Sequence, residues 1–310
     1  MVSIVELLGN NDFPQKPILE TLICHRTGLS KTDLFSKLDN QLSLEDIQRI
    51  VDGYHAYTIE KKPLEYILGR VEFSWLRFQV TPETIIPRPE TEYMIEAIRE
   101  FLEWKNGKMG KWKNETNNNS SFSHFNNFTL LDIWTGSWIL WLSTLYHCGQ
   151  YISQAYLTDL SSEALEVAKK NTQQLLSPIN YPPSTVNFLA CSLLDHPTIH
   201  ELLSHSDKEV ILVANLPYIP DELYASNAPE SLTKWEPKMA FVGGKDGLDL
   251  YRQMFDQILL DKASNLTMFL EMMTRQGKIL AEDYKEHFVF EEIKTFHGNI
   301  RILKCWLVKL

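Results

Sequence analysis

At 310 residues the chain is long enough for two domains of ~100–200 residues each, and 44% hydrophobic with 23% charged side chains excludes a wholly disordered or fibrous protein. With 40 acidic against 30 basic residues the net charge is −10, so the surface as a whole repels a nucleic-acid backbone. The N-terminus lacks a signal-like segment, no run reaches the ~18 apolar residues of a membrane span, and the scattered Cys24, Cys148, Cys191 and Cys305 contain no C-x-x-C pair. A cytoplasmic protein with reduced thiols, no membrane contact and no metal site is expected.

From Ile4 to about Glu60 apolar residues recur at helical spacing (Leu34, Leu38, Leu42; Ile47, Ile50, Val51, Tyr54), with Ser30 and Ser43 placed as N-caps. Residues 1–62 read as a small all-helical domain. Over 63–104 the spacing predicts a connector: β-rich pieces at 72–73, 78–80 and 84–86, broken by Gly69, Pro82, Pro87 and Pro89, then a helix over 91–104. Residues 105–127, mostly Lys, Asn, Ser and Gly, have almost nothing to bury and read as a flexible insertion.

Beyond it, over 128–310, strand and helix alternate. Strands are predicted at 128–133, 154–158, 185–190, 209–214 and 266–271, and helices at 138–147, 162–176, 197–204, 248–260 and 276–284. Such βαβ alternation implies a mostly parallel sheet covered on both faces, with ligands at the carboxyl ends of its strands. Two last strands, at 288–293 and 302–308, read as an antiparallel C-terminal hairpin closing the sheet. The fold class is therefore α/β and Rossmann-like, with a small helical domain in front.

Three strand ends carry candidate chemistry. The first runs from Asp132-Ile133 through Trp134-Thr135-Gly136-Ser137-Trp138 into a helix, a turn that offers backbone N–H groups to the anionic end of a ligand. The second ends at Asp159, where a carboxylate either accepts the two hydroxyls of a nucleoside cofactor's ribose or caps the next helix. The fourth ends in Asn215-Leu216-Pro217-Tyr218. An amide at a strand tip, a proline-stiffened turn and an aromatic ring make a cradle for a planar NH₂ group: Asn215 Oδ1 and the Leu216 carbonyl each accept one N–H while Tyr218 packs on the plane. Held so, the nitrogen faces an activated methyl carbon, and alignment alone supplies much of the catalysis.

At this point the sequence resembles the protein-(glutamine-N5) methyltransferases of peptide chain release factors, the HemK family. The likeness covers Lys62-Pro63-Leu64-Glu65-Tyr66-Ile67-Leu68-Gly69, Ile86-Pro87-Arg88-Pro89-Glu90-Thr91-Glu92, the Asp132 loop, Asp159, Asn215 to Pro220, and Glu236-Pro237 with Gly243-Gly244-Lys245-Asp246-Gly247-Leu248. It implies a class I methyltransferase sheet, S-adenosylmethionine as donor, and the glutamine of a Gly-Gly-Gln loop in a release factor as acceptor. It also implies that the helical domain helps hold the release factor. Carried over by residue, Asn215 to Tyr218 bind the glutamine amide, Asp159 the ribose, Thr135 to Ser137 the methionine end, and Ser192 lies near the adenine. Arg88, Glu90 and Thr91 belong to the pocket's lip. Leu216 replaces a proline of the family pattern, at a position whose acceptor is a backbone carbonyl.

Three tryptophans break the pattern. Trp75, Trp134 and Trp138 stand where the family has glycine, while the whole chain holds 13 Gly and 8 Trp. Drift scatters losses over many residue types; recurrence of one rare residue points to a gene whose UGA codons mean glycine and have been rendered as tryptophan. A decayed paralogue and a deliberately blocked loop are the rival explanations. An adenine-N6 methyltransferase remains the nearest enzyme alternative, because a flipped base offers the same NH₂ group, and a catalytically silent release-factor-binding protein is the alternative if Trp134 and Trp138 are authentic.

Overall fold

The computed structural model describes residues 2–107, 128–136, 139–176, 185–294 and 300–308. The expected insertion over 105–127 thus lies, from 108 onward, outside the described residues, as do Ser137, Trp138 and most of the turn before the last strand. The chain divides into two compact units, Met1–Val71 with Pro229–Trp235, and Glu72–Ala228 with Glu236–Leu310.

In the first unit, helices Ile4–Gly9, Lys16–Thr27, Lys31–Ser36, Leu44–Thr58 and Leu64–Leu68 bury Ile4, Leu19, Ile23, Leu34 and Ile50 in one cluster. Side-chain oxygens set where these helices begin. Ser3 and Glu6 form a reciprocal capping box, and Ser30 and Ser43 accept the amides of Asp33 and Asp46, each at 3.0 Å. The unit also holds one short antiparallel pair, Val2–Ser3 with Gln41–Leu42. Trp235 closes on it: its indole N–H donates to the Glu60 carbonyl at 3.0 Å, and the Lys62 ammonium lies 5.0 Å from its ring centroid.

The second unit is built on seven strands: β1 (Phe128–Ile133), β2 (Ile152–Asp159), β3 (Val186–Ala190), β4 (Glu209–Ala214), β5 (Leu266–Glu271), β6 (Phe288–Lys294) and β7 (Ile300–Leu307). Their order across the sheet is β3-β2-β1-β4-β5-β7-β6. The first five are parallel, with Leu130 opposite Ala155 on one side and Ile211 on the other, while β7 is antiparallel to both β5 and β6. Every residue of β1 and β5 is buried, which is why these strands read as mainly apolar, with Thr129, Asp132, Thr267 and Glu271 buried among the rest, rather than as alternation. Among the described residues no helix is long and apolar enough to cross a membrane.

Two expectations need correction. Residues 84–86 form no strand, because the Ile86 N–H, which a ladder would use, donates to Glu236 Oε2 at 3.0 Å. Residues 64–68, expected within a β-rich connector, are helical and end at Gly69 with φ 65.

Candidate active site

Chain order across the sheet reverses between β1 and β4, since β2 follows β1 on one side and β5 follows β4 on the other. In an open α/β sheet the crevice outside the carboxyl ends of such strands is the place where a ligand can sit between diverging loops. The β1 loop with Asp132, the tip of β2 with Asp159, the β4 turn with Asn215 and the last residue of β5, Glu271, all lie at that end.

On the β1–β2 side the loop is tied to the neighbouring strand. Thr135 N–H donates to the Thr158 carbonyl at 3.1 Å, and Gly136 N–H donates to Asp159 Oδ2 at 2.8 Å. The other carboxylate oxygen of Asp159 accepts Ser161 N–H at 2.8 Å, while the helix that follows is capped by Ser161, whose hydroxyl accepts Ala164 N–H at 3.0 Å. Asp132 is 2% exposed and accepts the Thr135 hydroxyl at 2.7 Å; burial, reinforced by the nearby Asp159 charge, pushes its pKa up to about 8 despite that bond. Burial raises Asp159 as well. Ser192 is half-buried in the loop after β3, where its carbonyl accepts Asp195 N–H at 3.0 Å.

The β4 turn is clamped from three directions. Leu216 N–H donates to the Tyr251 hydroxyl at 3.2 Å, and that hydroxyl donates in turn to the Glu271 carbonyl. Gln276 Nε2 bridges the Tyr218 carbonyl at 2.7 Å and the Asp246 carbonyl at 2.8 Å. Gly243 and Gly247 pack so closely that a β-carbon on either would be driven into the carbonyl oxygens of Pro217 and Tyr218 respectively. The Gly-Gly-x-Asp-Gly-Leu segment is therefore the floor under the Asn-x-Pro-Tyr turn, which explains why its glycines are needed. Among the described residues no donor reaches Asn215 Oδ1 or the Leu216 carbonyl.

The lip residues divide by role. Arg88 donates to Glu236 Oε1 at 2.7 Å and lies 5.6 Å from the Phe241 ring centroid, so the Pro-Arg-Pro segment is locked to Glu236, whose side chain is almost fully buried. Glu90 is half-buried; burial foremost, and the Glu90 charge only as a minor contribution, raises both the Tyr218 phenol and the Glu271 carboxyl, while the hydroxyls of Thr91 and Tyr218 pull Glu271 back toward the carboxylate. Thr91 faces inward: it is 5% exposed and its hydroxyl donates to Glu271 Oε2 at 2.8 Å. Glu271, Tyr251 and Gln276 carry no motif that singled them out. The one available signal was an acid ending a strand, 266–271, whose other residues are uncharged.

The tryptophans are in conformations that disfavour them. Ser74 and Trp75 form the two-residue turn between the strands Arg70–Phe73 and Leu76–Gln79 with φ 47 and 66, a pairing of positive φ values that selects glycine in the second place. Trp75 is 98% exposed, so no burial offsets the ~1–2 kcal/mol that the left-handed region costs an L-residue. Trp134 has φ 56 at the start of the loop and is only half-buried. Trp141 is fully buried, and its indole N–H finds no partner among the described residues.

No protein-family model matches the chain. It is 29% identical over 289 residues to the release factor glutamine methyltransferase of Bacillus cereus, covering 92% of this chain and 90% of that protein. The enzyme of the same name from Moorella thermoacetica is 30% identical over 275 residues, covering 85% and 80%. In three dimensions the chain matches the hMettl16 catalytic domain in complex with MAT2A 3'UTR hairpin 1, with a TM-score of 0.51 over 96% of this chain and 93% of that one. At 14% identity that likeness shows the fold alone, a class I methyltransferase sheet. Relatives that span most of its length, one of them 30% identical, show that the chain belongs to the release factor glutamine methyltransferase family.

Proposed function

We propose that the protein transfers a methyl group from S-adenosylmethionine to the side-chain nitrogen of the glutamine in a release factor's Gly-Gly-Gln loop. The observation that carries this reading is the pair of acceptors at the β4 tip that no described residue engages, Asn215 Oδ1 on a half-buried residue and the carbonyl of the fully buried Leu216, held by a clamped turn with Tyr218 beside them. A primary carboxamide has two N–H donors in one plane, and two acceptors fixed in space orient it without any proton transfer in the resting complex. The nitrogen would then face the methyl carbon; as the N–C bond forms the C–S bond would break, the donor leaving as the neutral thioether and the proton lost from nitrogen passing to solvent. When bound, the donor supplies the electrophilic carbon, and everything the chain adds is orientation and exclusion of water.

The donor side fits this group in part. Asp159, at the tip of β2, would hold the ribose hydroxyls, residues 135–137 the methionine end, and Ser192 the adenine edge, with Asp132 bracing the loop. Trp134 does not fit: its left-handed φ of 56 is one that glycine adopts without strain and a residue with a β-carbon does not. We therefore read positions 75, 134 and 138 as glycine in the functional protein, encoded by UGA. Sequencing the gene decides this, since UGG at all three positions would leave a silent release-factor-binding protein as the better reading.

The enzymatic test offers labelled donor with a release factor and an adenine-containing RNA side by side. Label on the glutamine of the protein is expected, with Asn215→Ala slowing transfer by at least about 100-fold. Label on RNA alone, or an undiminished rate in N215A, would overturn the reading.

A further inference from the structure

Behind the Asn-x-Pro-Tyr turn lies a carboxylate that no motif assigns a task. Glu271 is 1% exposed and accepts two hydroxyls, Thr91 Oγ1 at 2.8 Å on Oε2 and Tyr218 Oη at 3.1 Å on Oε1. A threonine hydroxyl has one hydrogen. Because that hydrogen is committed to Glu271, Thr91 has only a lone pair left for Asn215, whose Nδ2 lies 3.4 Å away, at the long end of hydrogen-bonding range. A freely rotating hydroxyl would accept either end of a carboxamide, but this one accepts only the NH₂ end. The Asn215 amide is thereby held with Nδ2 inward and Oδ1 outward, the orientation in which Oδ1 can receive a substrate N–H. The same carboxylate anchors the phenol of Tyr218, and its backbone carbonyl receives the Tyr251 hydroxyl that holds Leu216 N–H.

Resting on the reading that Asn215 Oδ1 orients the substrate amide, we propose that Glu271 and Thr91 are positioning residues: a carboxylate-to-hydroxyl relay that fixes the rotamer and amide orientation of Asn215 and braces Tyr218. Neither touches the reacting atoms. The relay acts by direction of donation, so it depends on the polarity of the groups and not on their bulk.

That distinction gives the test. Thr91→Val keeps the shape and deletes the hydroxyl, Thr91→Ser keeps the hydroxyl and deletes a methyl, and Glu271→Gln keeps the shape while placing an NH₂ group against one of the two hydroxyls. The first readout needs no turnover: the side-chain NH₂ signals of Asn215 in the ¹⁵N-labelled full-length chain, identified by their loss in N215A. One of the two amide hydrogens is expected to exchange slowly in the parent and in T91S, and to lose that protection in T91V and E271Q. The second is kinetic, on the full-length chain with glycine at 134 and 138: T91V and E271Q lower kcat about tenfold or more with KM for the release factor within about threefold, and T91S stays within about threefold of the parent. A purely packing role predicts the reverse order, T91V harmless and T91S impaired, and that result in both readouts would overturn the proposal, as would unchanged Asn215 exchange in E271Q. If exchange follows the expected order while N215A transfers methyl normally, the relay stands and the substrate reading falls.

Discussion

A side chain's worth at this site depends on whether its backbone conformation suits it. Trp75 and Trp134 occupy φ values of 66 and 56; the exposed Trp75 indole gains nothing there and a glycine would relieve ~1–2 kcal/mol, whereas Trp134 recovers part of that cost by packing against the sheet's core. Trp75→Gly is accordingly expected to raise the midpoint of thermal unfolding by a few degrees. Trp134→Gly combined with Trp138→Gly is expected to bind S-adenosylmethionine at least about tenfold more tightly than the chain as written, read by isothermal titration. Equal affinities before and after the exchange would mean that the indoles do not obstruct the donor.

At the scale of elements, the site is a set of loops held rigid by unrelated segments, and the loops depend on one another. The Gly243–Gly247 stretch lies against the Pro217 and Tyr218 carbonyls, and Glu236 holds both Ile86 N–H and Arg88. Gly243→Ala should therefore shift the Asn215 turn, costing about 1–3 kcal/mol of stability and most of the activity; urea unfolding and methyl transfer on the same preparation check it, and an unimpaired variant would mean that the floor is compliant. Much of this was legible in the residues. Strand and helix alternation identified the sheet because buried parallel strands leave long apolar runs, and the Asn-x-Pro-Tyr tip is a local pattern. Glu271 was not legible, because its significance comes from β5 lying beside β4, a neighbourhood that no spacing records. Residues 84–86 misled for a related reason: their β-favouring side chains are apolar enough, but a partner 150 positions away takes the backbone hydrogen.

For the molecule as a whole, buried acids set the pH response. Asp132 has a folded pKa of about 8, far above the ~3.9 of an unfolded Asp, so between those values the native state keeps a proton that the unfolded chain has lost. Stability should then fall as pH rises from about 4 to 8, by at most about 1.4 kcal/mol per pH unit from this group, and level off above. Asp159 and Glu271, also raised by burial, act in the same direction, whereas the Asp246 carboxylate, held down by its Arg252 hydrogen bonds, opposes them on the acid side. Asp132→Asn is expected to flatten the decline between pH 5 and 8 in thermal unfolding; an unaltered slope would place its origin elsewhere.

The route of the chain matters as much as its charge. It leaves the sheet-bearing unit after Ala228, contributes Pro229–Trp235 to the helical unit, and returns at Glu236. A fragment ending at residue 71 would lack the indole that donates to Glu60 and stacks under Lys62. Anyone transplanting the head of this enzyme onto a relative's body must carry two pieces of polypeptide and make three splices, and the seven-residue piece begins eleven positions after Tyr218. An exchange of the helical unit is, in this architecture, also an edit of the segment that links β4 to β5.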